Sequence, residues 1–233
     1  VDERYRERRR TIESFFSLEN RVPDSVQVSD SPSGTFRLET CHYSTGQKTW
    51  NYSRGIVKRI DDDTIIADVK RNFGHFWHTW VGHADGNEYL LCGEDYQGYS
   101  IVNLTAGTCK TFFPEEGYKG RGFCWTAAYP SPDTFVLAVD GCYWACPYDV
   151  VFYDFRKPED LPLGELLRVS NVVDRCEGWT DNETFVLTRE VEVRKSDNSP
   201  YEALDEVEQA ELDADPSLVE TRKETLGLRK PVY

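Results

Sequence analysis

Ser131-Pro-Asp-Thr-Phe-Val-Leu-Ala-Val-Asp-Gly141 is a polar turn that feeds straight into an apolar run. Proline and aspartate set up the turn, and the aromatic and β-branched residues behind it suit a pleated strand. The pattern recurs as Ser31-Pro-Ser-Gly-Thr-Phe36-Arg-Leu, Ala84-Asp-Gly-Asn-Glu-Tyr89-Leu-Leu and Thr180-Asp-Asn-Glu-Thr-Phe185-Val-Leu. The four aromatics are 53, 46 and 50 residues apart. In three of these units a tryptophan precedes the turn (Trp80, Trp125, Trp179), and in the first Val26 and Val28 stand there instead. A constant period near this length marks a chain built from repeated supersecondary units.

Each turn and strand is followed by more strand-like segments: 56–60 and 64–69, 99–104 and 108–113, 149–155 and 166–169, and a shortened 191–195. Three or four strands per period is the count of a propeller blade. Ser131 to Gly141, together with Ser100-Ile-Val-Asn-Leu-Thr-Ala-Gly-Thr-Cys-Lys-Thr-Phe112, resembles blade segments of the WD40 and TolB-like β-propellers. The resemblance covers roughly residues 25–195. It implies an all-β, propeller-like stack of about four antiparallel blades, with loops gathered on one face and a role in interaction.

Helical extensions flank this body in the expected organisation: an N-terminal helix in 1–20, the propeller-like domain in 25–199 and an acidic helical extension in 200–233. Tyr5, Ile12, Phe15 and Phe16 share one helical face, and Arg4, Arg6, Arg8, Arg9 and Arg10 make the segment basic. It reads as a packing helix with a solvated face, or as an arm for an acidic surface. Near the other end, Asp215 and Pro216 read as a helix start and Gly227 as its stop. Pairing between the basic helix and this acidic tail is a further expectation.

The net charge of −14 comes from 41 acidic and 27 basic side chains, a balance that disfavours phosphate backbones and anionic lipid. Much of it is local, since residues 190–224 carry twelve acids and four bases. No run of 18 apolar residues and no cationic, apolar leader pattern occurs. Seven scattered cysteines read as reduced thiols of a cytoplasmic protein. Three glycosylation acceptor patterns, at Asn51, Asn103 and Asn182, keep secretion as the alternative.

Gly-flanked loops are the places for a site. Glu94, Asp95 and Tyr96 lie between Gly93 and Gly98, Tyr143 and Trp144 follow Gly141, and Trp77 follows Gly74. These residues are the candidate ligand- or partner-binding set, since tyrosine and tryptophan dominate recognition hot spots. Cys142, Cys146, His75 and His78 would supply tetrahedral zinc donors, although inert thiols are the simpler reading and no cofactor is expected. Glu94, Asp95, Asp140 and Asp149 would make a carboxylate cluster for calcium or acid/base work. Cys92 or Cys124 beside His78 or His83 would give a nucleophile, but no nucleophile elbow accompanies them. The favoured function is a non-catalytic interaction or ligand-recognition domain using this aromatic loop face. The alternatives are a metal- or carboxylate-dependent hydrolase or lyase at the same face, or a subunit of an assembly completed by a protein partner.

Overall fold

The computed structural model describes residues 3–144, 148–173 and 176–232. Helix α1 (Glu3–Ile12) runs into short 3-10 turns. Four strands, β1 (Gln27–Asp30), β2 (Phe36–Ser44), β3 (Asn51–Arg59) and β4 (Ile65–Arg71), then form an antiparallel meander in chain order. A second meander repeats this with β5 (Thr79–Gly82), β6 (Glu88–Cys92), β7 (Tyr99–Asn103) and β8 (Thr108–Phe112). A third uses β9 (Cys124–Pro130), β10 (Val136–Cys142), β11 (Tyr148–Asp154) and β12 (Glu165–Val172). Strands β13 (Gly178–Trp179), β14 (Thr184–Arg194) and β15 (Val219–Arg229) follow, with helix α2 (Glu206–Ala214) between the last two.

The recurring turns have matching geometry. Ser31 N donates to Phe36 O at 2.8 Å, Ser131 N to Val136 O at 2.8 Å and His83 N to Asn87 O at 2.9 Å. The residue three places on has positive φ in each, at Gly34 (72°), Thr134 (61°) and Gly86 (88°). Glycine takes that conformation without strain. The aromatics are less uniform. Phe36, Tyr89 and Phe185 are buried, but Phe135 is 38% exposed, because Val136 occupies the first core position of β10.

Strand alternation then explains the stack. On β6, Leu90 and Cys92 pack with Phe36, Leu38, Val57 and Val69 of the first sheet. Tyr89 and Leu91 face the other way and pack with Trp125, Leu137, Val139 and Val151 of the third. The central strands β6 and β7 of the middle sheet are therefore buried on both faces. The first strands lie beside one another: Trp80 Nε1 donates to Ser29 Oγ (3.1 Å), Thr79 Oγ1 to Ala128 O (3.1 Å) and Trp179 Nε1 to Tyr129 O (2.9 Å). Trp80 and Trp179 are therefore hydrogen-bonded ties between neighbouring units, and Trp125 is buried and stacks on Tyr99 of the second.

Two expectations are corrected. Four separate blades are not formed: the sheets have four, four and seven strands. The last unit joins the third sheet at Val172 and Arg189 and through the Val173 amide on Thr188 O, and residues 191–194 continue β14 rather than making a second strand. The tail is helical only in part. Asp205 caps α2 in a reciprocal arrangement with Glu208, while Asp215 and Pro216 open a three-residue 3-10 turn. Residues 219–229 are strand β15, paired with all eleven residues of β14.

Candidate functional site

The loop after β6 is built from beneath by two buried polar residues. Arg71, 3% exposed, donates to His75 O (2.9 Å), Gly93 O (2.6 Å) and Asp95 O (3.2 Å). Burial pulls its pKa down to about 10. Asn72 donates to Asp95 Oδ2 at 2.6 Å and accepts from Tyr96 N at 3.0 Å. From above, α1 closes on the same loop. Tyr5 donates its hydroxyl to Glu94 Oε1 (3.0 Å), Arg9 donates to Glu94 O (2.7 Å), and Arg8 Nε reaches Asp95 Oδ2 (3.2 Å). Burial, and then the Glu94 charge, raise the Tyr5 pKa.

This arrangement reassigns part of the expected set. The acidic surface met by the basic helix is the loop of the same chain, not the C-terminal tail. Tail carboxylates pair within their own region instead, Glu208 and Asp197 with Arg194, and Glu202 and Glu224 with Arg189. Asp95 is 1% exposed and shapes the loop: its carboxylate accepts from Arg8, Asn72 and the Gln97 amide, and its carbonyl accepts from Arg71 and the Gly98 amide. Trp77 is 4% exposed and packs in the core against Trp125.

The remaining aromatics come together. Trp144 stacks on Trp50 (5.8 Å between ring centroids, 13° between planes) and lies 5.3 Å from Tyr96. Phe73 completes the group, 5.6 Å from Trp50. Trp50 is 42% exposed and Trp144 57%. Trp50, Tyr96 and Trp144 border a groove of about 440 Å³ that is also lined by Arg8, Arg9 and Ile12 of α1. Trp50 Nε1 is anchored on Asn72 O at 2.6 Å. Trp144 holds φ at 86°, a conformation that a bulky residue adopts only when its surroundings impose it. Tyr143, 51% exposed, points elsewhere, packing on Phe123 and lying near the Arg168 guanidinium. Trp50 and Phe73 escaped the sequence reading. Their only signal was an aromatic placed beside a polar hairpin end.

The chemical alternatives are not assembled among the described residues. His78 packs on Trp80 and lies 3.4 Å from Ser29 Oγ, between the first two sheets. Cys142 is opposite Cys124 on the third sheet, and Cys146 lies outside the described residues. No group of three or more His, Cys, Asp or Glu able to hold a metal occurs among the described residues. Burial lowers the pKa of His75 and His78. Asp149 is paired with Arg168 at 2.9 Å, whereas Asp140 stands on the opposite face of the sheet, so the proposed carboxylate cluster is split. Cys92 is fully buried and burial raises its pKa well above the ordinary thiol value; burial likewise pushes Cys124 up to about 11. His83 is occupied by Phe155 O (2.9 Å) and the Asp85 amide (3.1 Å). Asn103, one of the three glycosylation patterns, is 2% exposed and donates to Glu159 Oε2 at 2.9 Å.

No protein-family profile matches the chain. A stretch of 144 residues, 62% of the chain, is 36% identical to the uncharacterized protein R762 of Acanthamoeba polyphaga mimivirus. That match spans 56% of the viral protein, so the chain corresponds to about half its length. Among solved structures, the β-propeller domain of Myceliophteria thermophila Cps50 (Swd1) aligns with 81% of the chain and 52% of its own length, at 13% identity and a TM-score of 0.43.

Proposed function

We propose that the chain is a non-catalytic, propeller-like interaction module that engages a protein partner through Trp50, Tyr96 and Trp144. The observation that carries this reading is the half-exposed stack of Trp50 on Trp144, held on loops that are themselves fixed by Arg71 and Asn72. Large rings on a rigid scaffold give contact area at low entropic cost. The commitment of Glu94 and Asp95 to α1, and of the buried thiols to the core, favours binding over hydrolase or lyase chemistry. The scattered cysteines favour a cytoplasmic setting. Completion by a further blade is disfavoured at the first sheet, whose outer face is laced by the pairs Arg37–Asp30, Arg54–Asp68 and Lys58–Glu39. A polar outer face is what capping units carry.

A photo-crosslinking amino acid placed at Tyr96, and in a control at Asp62 on the β3–β4 turn, tests the proposal in native extract. A partner trapped only from position 96, and lost when Trp50 and Trp144 are both alanine, supports it. Equal trapping from both positions, or trapping that survives the double substitution, overturns it.

A further inference from the structure

A second cavity, of about 1180 Å³, lies between the third sheet and β14, apart from the aromatic groove. Its origin is local. Val136, Ala138 and Asp140 occupy alternate positions of β10 and therefore one face. The first two pack with Val150, Phe152, Phe185 and Leu187. Beyond them, β12 and β14 are joined at Val172 and Arg189 and by the Val173 amide on Thr188 O (2.9 Å), and the cleft opens where Asp140 takes the next place in the apolar row.

Asp140 is 6% exposed, and its Oδ1 has no hydrogen-bond partner among the described residues. An unpaired buried carboxylate is unfavourable, so a counter-group has a place waiting for it. The cavity wall adds Glu190 and Glu192, and none of its described lining residues is basic. Tyr129, Tyr148 and Tyr201 supply aromatic wall, and ring faces attract cations. The geometry points to a pocket for a primary ammonium on an aliphatic stem: the ammonium donates to Asp140 Oδ1, and the stem lies against Val172, Val191 and the tyrosines.

The choice of cation follows from the site. Oδ1 is the Asp140 oxygen left buried without a partner among the described residues. That suits a point-charge donor better than the two-pronged guanidinium. A calcium ion wants about six to eight oxygens, and no donor group of three or more exists among the described residues. Burial lifts the Asp140 pKa to about 6, with the Gly141 amide opposing, so the carboxylate is still charged at neutral pH. Cys176 registers that charge: burial first, then Asp140, push its thiol up to about 12. The other titratable groups on the cleft are Glu190 and Glu192 from β14, Glu202 and Tyr201 beyond it, Tyr129 from β9 and Tyr148 from β11.

Titration of the whole chain with n-butylammonium, n-butanol and a nonapeptide bearing one central lysine tests the inference by NMR or calorimetry near pH 7.5. Saturable binding of a cationic probe, no binding of the alcohol, and an affinity about tenfold weaker in Asp140→Asn are expected. Glu192→Gln is expected to weaken binding by a few-fold, as a more distant charge. Tighter binding of the peptide assigns the ammonium to a partner's lysine, and equal binding assigns it to a free amine. No saturable binding by either cation overturns the inference. So does binding that is unchanged in Asp140→Asn, provided the variant melts no lower than the parent.

Discussion

Asp140→Asn is expected to make the protein more stable at neutral pH, which is unusual for a substitution in a core row. The folded chain raises this carboxyl from 3.8 to about 6, so the folded state holds the proton more tightly than the unfolded state. Such a group favours folding fully below the unfolded value, and that advantage disappears as pH rises through the folded value. Above about pH 6 the ionised form is a burden. Two units correspond to about 3 kcal/mol at 1.36 kcal/mol per unit. The cleft admits water, which screens the charge, so about 1–2 kcal/mol is the working expectation. Asparagine removes the charge at nearly constant volume. With a urea slope of about 2–3 kcal/mol per molar for a chain of this size, the midpoint near pH 7.5 should rise by roughly half a molar. The rise should vanish near pH 3.5, where both proteins are uncharged at this position. A variant that is less stable at pH 7.5, or one whose gain is the same at both pH values, would refute the reasoning.

Arg71→Met should leave three carbonyls short of a donor and lower the melting temperature by roughly 6–12 °C, from about 3 kcal/mol of lost satisfaction. A fall below about 2 °C in calorimetry would show that the loop holds itself. Gly55→Ala should cost about 1–3 kcal/mol, because its new methyl group would sit 2.8 Å from Phe76 Cε1 and Cε2. Chemical denaturation measures this, and an unchanged midpoint would mean that the ring has room to move. Cys92 and Cys176, both at least 96% buried, should escape iodoacetamide in the native state near pH 8 and react once unfolded. Peptide mapping that finds either one labelled early would place it on a mobile surface.

The repeat was legible because each turn carries its own chemistry. Ser31 and Ser131 use their hydroxyls to accept from Phe36 N (3.1 Å) and Val136 N (3.0 Å), a local interaction that sequence spacing records directly. The C-terminal strand was not. Residues 219–225 are mostly charged and have helix-forming composition, so nothing local calls for extension. Their conformation comes from β14, which lies 35 residues away at Thr184 and Val219 and supplies eleven paired positions. Glu224 meets Arg189 there at 3.5 Å, and Leu226 and Leu228 reach the core. Cross-strand partners override local preference in such segments.

The candidate sites divide along the same line. Tyr96 and Trp144 could be named because glycines frame their loops, but their partner Trp50 is 46 and 94 residues away, and only the stacking of the three sheets through the middle one brings the rings together. Asp140 was visible as an acid at a strand end and was grouped with Asp149, nine residues on. Strand alternation separates them: Asp149 turns to Arg168, and Asp140 turns into the row of Val136 and Ala138. A chain selected only for stability would place an apolar residue there, since the preceding members of the row, Val136 and Ala138, pack with Phe185 and Leu187 of β14. A buried carboxylate whose Oδ1 has no partner among the described residues is a local conflict with the fold, and conflicts of that kind gather where a protein binds something.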